Sequence, residues 1–201
     1  NIVSFKRIIN KYTKKGTKLM SYLQKYYEDV IRQDLIRKLN YCNPHEIPKL
    51  DKIIINMGVK EAAQDKKQIL SPLLILELLS GQKAVITRAK KSVSNFKIRK
   101  GFPIGAKVTL RGESMYNFLL KLIIQVLPRI REFKGMSSKS INNTGCLSFG
   151  MKDLLVFPEI EIEYDKLMHV YGANITIVTT ATSIAETEVL LSAFQIPFKK
   201  K

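Results

Sequence analysis

Tryptophan is absent from this 201-residue chain, and only two cysteines (Cys42, Cys146) and two histidines (His45, His169) occur. So few cysteines, so far apart, cannot build a disulfide scaffold and fit a reducing compartment. Acid is scarce as well: 17 Asp+Glu face 34 Lys+Arg, a formal charge of +17. Such an excess repels itself in a compact state and calls for a phosphate-rich partner to relieve it. The longest apolar runs, PLLILELL (72–79) and FLLKLIIQVL (118–127), are broken by Glu77, Lys121 and Gln125. Neither approaches the roughly 18 residues a membrane span needs. Residues 1–27 hold seven bases and no acid but no hydrophobic core segment, so they do not read as a secretory signal.

What is present is enough apolar material, 45% of the chain, to bury a core, which excludes a disordered basic tail. The expected organisation is a basic arm over 1–18 and a single domain over 19–201. The arm reads either as the remnant of a mitochondrial presequence or as a segment lying on RNA, and its preference for Lys over Arg favours the second. Lys outnumbers Arg 26 to 8 overall, a bias that AT-rich codons produce and that points to an organellar or AT-rich genome.

Apolar positions Leu19, Leu23, Tyr26, Tyr27, Val30, Ile31, Leu35 and Leu39 recur at helical spacing, with Asn40 as the stop. KLDKIIINMGV (49–59) reads as a mostly buried strand. A helix over 65–79 starts at Asp65 and ends at Ser80-Gly81, with Pro72 near a kink or split. KAVIT (83–87) and GAKVTLRG (105–112) read as strands; the second sets Ala106, Val108 and Leu110 on one face and Lys107, Thr109 and Arg111 on the other. RAKKSVSNFKIRKGFPI (88–104) is too long for a tight hairpin and is expected to project. A third helix covers 114–127, a loop 134–150 with a short strand at 146–149, a strand 173–181 and a last helix 183–194. FPEIEIEYD (157–165) alternates, so a strand is expected with Glu159, Glu161, Glu163 and Asp165 on its wet face. The sum is an α+β fold: a mainly antiparallel sheet, helices packed on one face, and a long projecting basic loop.

The most informative stretch is 78–112. It carries Lys83, Arg88, Lys90, Lys91, Lys97, Arg99, Lys100, Lys107 and Arg111 and no acid at all. A merely solvated face mixes both signs, so phosphate binding is the better reading. Ser92, Ser94 and Asn95 add hydrogen-bond donors for phosphate or ribose, and Phe96 and Phe102 either stack on bases or anchor the loop. No helix-turn-helix or zinc-finger pattern argues for DNA, and a cationic loop on a sheet suits irregular RNA.

Other constellations fail. GFPIGAKVT mimics a nucleotide-binding loop, but its glycines are too close together and a strand follows where a helix N-terminus is required. Cys42 and His45 form half a zinc site without a partner pair. The alternating acids offer no general-acid partner, and neither G-x-S-x-G nor H-E-x-x-H occurs. No catalytic residue, metal or cofactor is therefore expected. The sequons at Asn142 and Asn174 are read as chance matches.

Several segments together resemble the universal large-subunit ribosomal protein family conventionally numbered five. They are YYEDVIRQDL (26–35), IPKLDKIIINMGV (47–59), DKK (65–67), SGQKAVITRAKKSVSNFKIRKGFPIGAKVTLRGESMYNFL (80–119), LPRIREFKG (127–135), FPEI (157–160), YDK (164–166) and NITIVTTA (174–181). The likeness spans about residues 20–199. It departs in a longer N-terminal arm, a longer FPEI-to-YDK spacing and a less basic segment before the last strand. The first departure fits an organellar member.

The resemblance implies a structural constituent of the large subunit, with helices on one sheet face and the other face on 5S rRNA in the central protuberance. Asn56, Met57, Gly58, Gln82, Lys83, Lys107, Thr109, Arg111, Thr179 and Thr180 are similar to the family's rRNA-facing positions. The basic loop, through Arg88, Lys90, Lys91, Lys97, Arg99 and Lys100, is implied to hold phosphates of the P-site tRNA. Large-subunit rRNA, neighbouring ribosomal proteins and a small-subunit head protein, the last met through 134–150, complete the implied partners. The implied location is the mitochondrial matrix, with the plastid or the bacterial cytoplasm as alternatives. The competing reading, a peripheral protein docking on anionic lipid through its basic charge, has in the arm only a small apolar face (Ile2, Val3, Phe5, Ile8, Ile9) to insert.

Overall fold

The structure is a computed structural model and describes residues 22–41, 43–60, 62, 65–162 and 171–199. The 1–18 arm, Cys42, His169, Glu163 and Asp165 lie outside them. Five strands form one sheet in the order β2-β3-β1-β5-β4: β1 is Leu50–Gly58, β2 Val85–Arg88, β3 Pro103–Leu110, β4 Cys146–Met151 and β5 Ala173–Thr179. The chain divides into two compact units, described in turn.

The first unit, 53–110 and 148–177, holds most of the sheet. Antiparallel β1 and β3 pair with Ile53 opposite Leu110, Ile55 opposite Val108 and Met57 opposite Ala106, and all six are buried. Every second residue thus faces a dry layer, as the alternation in 105–112 requires. Helix α2 (Leu70–Ser80), entered through a 3₁₀ turn at Lys66–Ile69, packs against β3. Asp65 caps the 3₁₀ turn by accepting from the Lys67 N–H at 3.0 Å, and Gly81 ends the helix in the left-handed region at φ 67°. Pro72 sits in the first turn of α2, where no N–H is needed, so the break falls just ahead of it.

The alternation in 157–165 does not make the expected strand. Residues Pro158–Ile162 are a short helix, α4, packed on α2 and not a strand. Proline is pre-set for a first helical position, and Glu159 and Glu161 suit the positive end of the helix. Phe157 and Ile160 turn into the core while Ile162 stays exposed.

The second unit comprises the described residues up to 52, 111–147 and those from 178 onward. Helix α1 opens at Tyr22–Tyr26, widens into a π-helical turn at Tyr27–Ile31 and continues as Arg32–Leu39. Asn40 terminates it at φ 50° with its N–H on the Ile36 carbonyl. Helix α3 runs Gly112–Lys121 and continues through Leu122–Val126 and Leu127–Arg129, the last turn containing Pro128. Helix α5 (Ile184–Ala193) is capped by the Ser183 hydroxyl accepting from the Glu186 N–H. The core centres on Phe194, which stacks on Tyr27 with ring centroids 5.9 Å apart and lies 6.3 Å from Tyr116.

Candidate nucleic-acid interface

Residues opposite one another in an antiparallel pair point to the same side. Asn56 stands opposite Lys107, Ile54 opposite Thr109 and Gly58 opposite Gly105; on the other edge Val85 also stands opposite Lys107. These residues therefore share the face turned away from the dry layer. Lys107 is exposed, Asn56 and Thr109 are half-buried, and Gly58 leaves bare backbone beside them. Across β5 and β4 the same alternation exposes Asn174 and Ser148 and half-buries Thr176, with the Ser148 and Thr176 hydroxyls 3.1 Å apart. None of these positions is acidic. The alternation of NITI (174–177) is the sequence signal for Asn174 and Thr176, whereas Ser148 in CLSFGM carries no comparable mark.

At the end of β3 the Gln82 side-chain amide donates to the Thr109 carbonyl at 2.7 Å, which fixes the turn bearing exposed Lys83. In the second unit Arg111 is exposed in extended backbone just before α3. Thr180 is exposed but engaged: its N–H donates to the Lys49 carbonyl and its hydroxyl accepts from the Lys49 N–H at 3.0 Å.

Two expected RNA-facing side chains point elsewhere. Met57 is 1% exposed, because it shares the parity of Ile53 and Ile55 and belongs to the dry layer. Thr179 is 5% exposed and donates its hydroxyl to the Gly145 carbonyl at 2.7 Å. That bond holds a turn and leaves no side-chain group to offer a ligand.

Residues 89–102 between β2 and β3 form a folded excursion. Ala89 donates to Phe102 at 2.8 Å, Gly101 to Ala89 at 2.9 Å, and Val93 and Ile98 exchange both backbone bonds. A 3₁₀ turn at Ser94–Phe96 is closed by Lys97 in the left-handed region at φ 54°. The Ser92 hydroxyl accepts from the Lys100 N–H at 3.0 Å. Six cations, Arg88, Lys90, Lys91, Lys97, Arg99 and Lys100, are all exposed on this frame. Phe102 is half-buried as an anchor, whereas Phe96 is 68% exposed.

Among the described residues no group of three or more His, Cys, Asp or Glu is placed to hold a metal, and no helix is long and apolar enough to cross a membrane. An acid-free sheet face beside an acid-free cationic hairpin is the composition expected of an α+β protein built to meet a polyanion.

Two family models match: "Ribosomal protein L5" over residues 43–99, and the model for the C-terminus of the same ribosomal family over 103–198. The chain is 69% identical over 182 residues to "Large ribosomal subunit protein uL5m" of Reclinomonas americana, covering 90% of this chain and 100% of that one. It is 49% identical over 181 residues to "Large ribosomal subunit protein uL5" of Buchnera aphidicola (90% and 100%) and 47% over 180 residues to that of Nitrosomonas europaea (90% and 99%). The chain belongs to the ribosomal protein L5 family, structural proteins of the large ribosomal subunit and not enzymes. The lipid-docking alternative finds no support.

Proposed function

We propose that this chain binds 5S rRNA in the central protuberance of the large subunit of the mitochondrial ribosome and contacts the P-site tRNA through its basic hairpin. The mitochondrial setting rests on the 69% identity to uL5m. The observation that carries the RNA reading is the Asn56–Lys107 row: a cation, an amide and bare glycine backbone on an open sheet face. Such a face neutralises phosphate with Lys107 and hydrogen-bonds sugar or base edges with Asn56, Thr109 and Asn174. Gln82, Lys83, Gly58, Arg111 and Thr180 are the further rRNA-facing positions; the side chains of Met57 and Thr179 are buried and are not among them.

The hairpin supplies a second, separate set of phosphate ligands for tRNA. Residues 134–150, where Met136 exchanges backbone bonds with Pro197 and Lys199, are the surface offered to a small-subunit head protein. The 1–18 arm is proposed to lie on rRNA.

The test is binding of the purified full chain to 5S rRNA and to an unrelated hairpin of similar length across a salt series. Selective 5S binding with a steep salt slope supports the reading. Equal, weak binding of both RNAs overturns it.

A further inference from the structure

Phe96 is the most exposed aromatic ring among the large apolar residues of the described chain, at 68%. It sits at the turn of the basic hairpin, between Asn95 and Lys97. Exposing a phenyl ring to water forgoes the gain of burying it, so a ring held out by an ordered frame has a use elsewhere. The frame is ordered: the Lys97 N–H bonds the Ser94 carbonyl at 2.9 Å, and the Val93–Ile98 bridge closes the turn beneath the ring. Beside it lies a hollow of about 600 Å³, lined by Gly58, Val59, Lys60, Asn95, Lys97 and Ile98.

We propose that Phe96 is a stacking platform for one unpaired nucleobase, with Asn95 at the base edge and Lys60 and Lys97 on the flanking phosphates. The proposal rests on the reading of the hairpin as an RNA contact and adds to it a site of different chemistry. A protein-docking anchor would sit among mixed charges, whereas Phe96 has six cations and no acid within residues 88–100. Aromatics interleaved with cations are how proteins hold unpaired bases, the ring taking the π-face and the cations the backbone. The asparagine amide both donates and accepts, which suits a base edge. Phe102, similar in sequence setting, is half-buried and does not take part.

Stacking and phosphate neutralisation differ in their response to salt, and this separates the two claims. The probe is an RNA hairpin with a single 2-aminopurine in its loop, whose fluorescence falls when the base stacks, titrated with the full chain at several salt concentrations. Phe96→Leu keeps an apolar side chain of similar size and is expected to weaken binding by about 5- to 150-fold and to abolish the quenching, with the salt slope unchanged. Phe96→Tyr should bind and quench like the parent. Lys91→Ala and Lys97→Ala should lower the slope by about 1 each while retaining the quenching. If Phe96→Leu binds and quenches like the parent while the lysine variants lose affinity, the stacking site is overturned and the phosphate reading stands. If all variants bind like the parent, both fall.

Discussion

Asn56 on β1 and Lys107 on β3 stand directly opposite one another in antiparallel register, and Val85 on β2 completes the row. Neighbours on one face, they differ in what they give a nucleic acid: one a neutral amide, the other a charge. Lys107→Ala is expected to lower the salt slope of 5S rRNA binding by about 1, whereas Asn56→Ala should weaken binding at every salt concentration without changing the slope. Filter binding at graded salt reads both; identical slopes for the two variants would refute the division of labour.

The hairpin makes the complementary prediction. Replacing Lys90, Lys91, Lys97 and Lys100 together by Ala should reduce the salt slope of tRNA binding by about 3 to 4 and leave 5S rRNA binding largely intact. Parallel titrations with the two RNAs check it. Equal loss of both would show that one surface serves both partners.

Gly105 is predicted to be intolerant of even one methyl group. A Cβ there would run into the Met57 carbonyl of the neighbouring strand and come within 2.9 Å of the Thr87 hydroxyl. Because the nearer obstacle is backbone, trimming Thr87 cannot make room. Gly105→Ala is expected to destabilise the fold by about 1 to 3 kcal/mol, and Gly105→Ala with Thr87→Ala should recover little of that. Denaturant unfolding compares the single and double variants.

Alkaline stability should carry the mark of Tyr116. Burial beside Phe194 pushes its phenol up from the ordinary value of 10 to about 12, with Tyr27 and Glu28 adding smaller contributions. A phenol raised in the fold stays protonated there after its unfolded counterpart has ionised. Its contribution is therefore complete below pH 10 and is lost as the pH climbs from 10 through about 12. Tyr116→Phe should flatten the decline of unfolding free energy over that interval, leaving the share due to Tyr26, Tyr27 and Tyr41, all raised chiefly by burial. Denaturation of both proteins at pH values below and above 10 measures it.

Much of this was legible because period and punctuation coincided. In β3 the small and apolar residues fall on every second position, so Ala106, Val108 and Leu110 declared the dry layer and Lys107 and Thr109 the open one. Asn40 and Gly81 stop their helices in the left-handed region, which few other residues enter cheaply. Illegibility had equally local causes. In PEIEI the acids alternate as in a strand, but proline at the first helical position and tertiary packing of Ile160 decided otherwise. Met57 and Thr179 were taken up with their segments, yet parity with Ile55 and Ile177 sends them inward. The open-face residues on β4 and β5 carry no charge, so nothing in the charge pattern marks them.

The hairpin's own hydrogen bonds have a kinetic consequence. Val93 with Ile98, Ala89 with Phe102, and the Lys100 N–H with the Ser92 hydroxyl set the backbone course on which the cations ride. A disordered basic loop surrenders conformational freedom when it docks, and its encounter complexes often dissociate before it orders. A hairpin closed by its own backbone bonds escapes much of that cost, and capture of an RNA by it would be governed by long-range attraction and diffusion. On the tRNA contact proposed above, association would be fast and, since exposed charges make most of it, release would be fast as well.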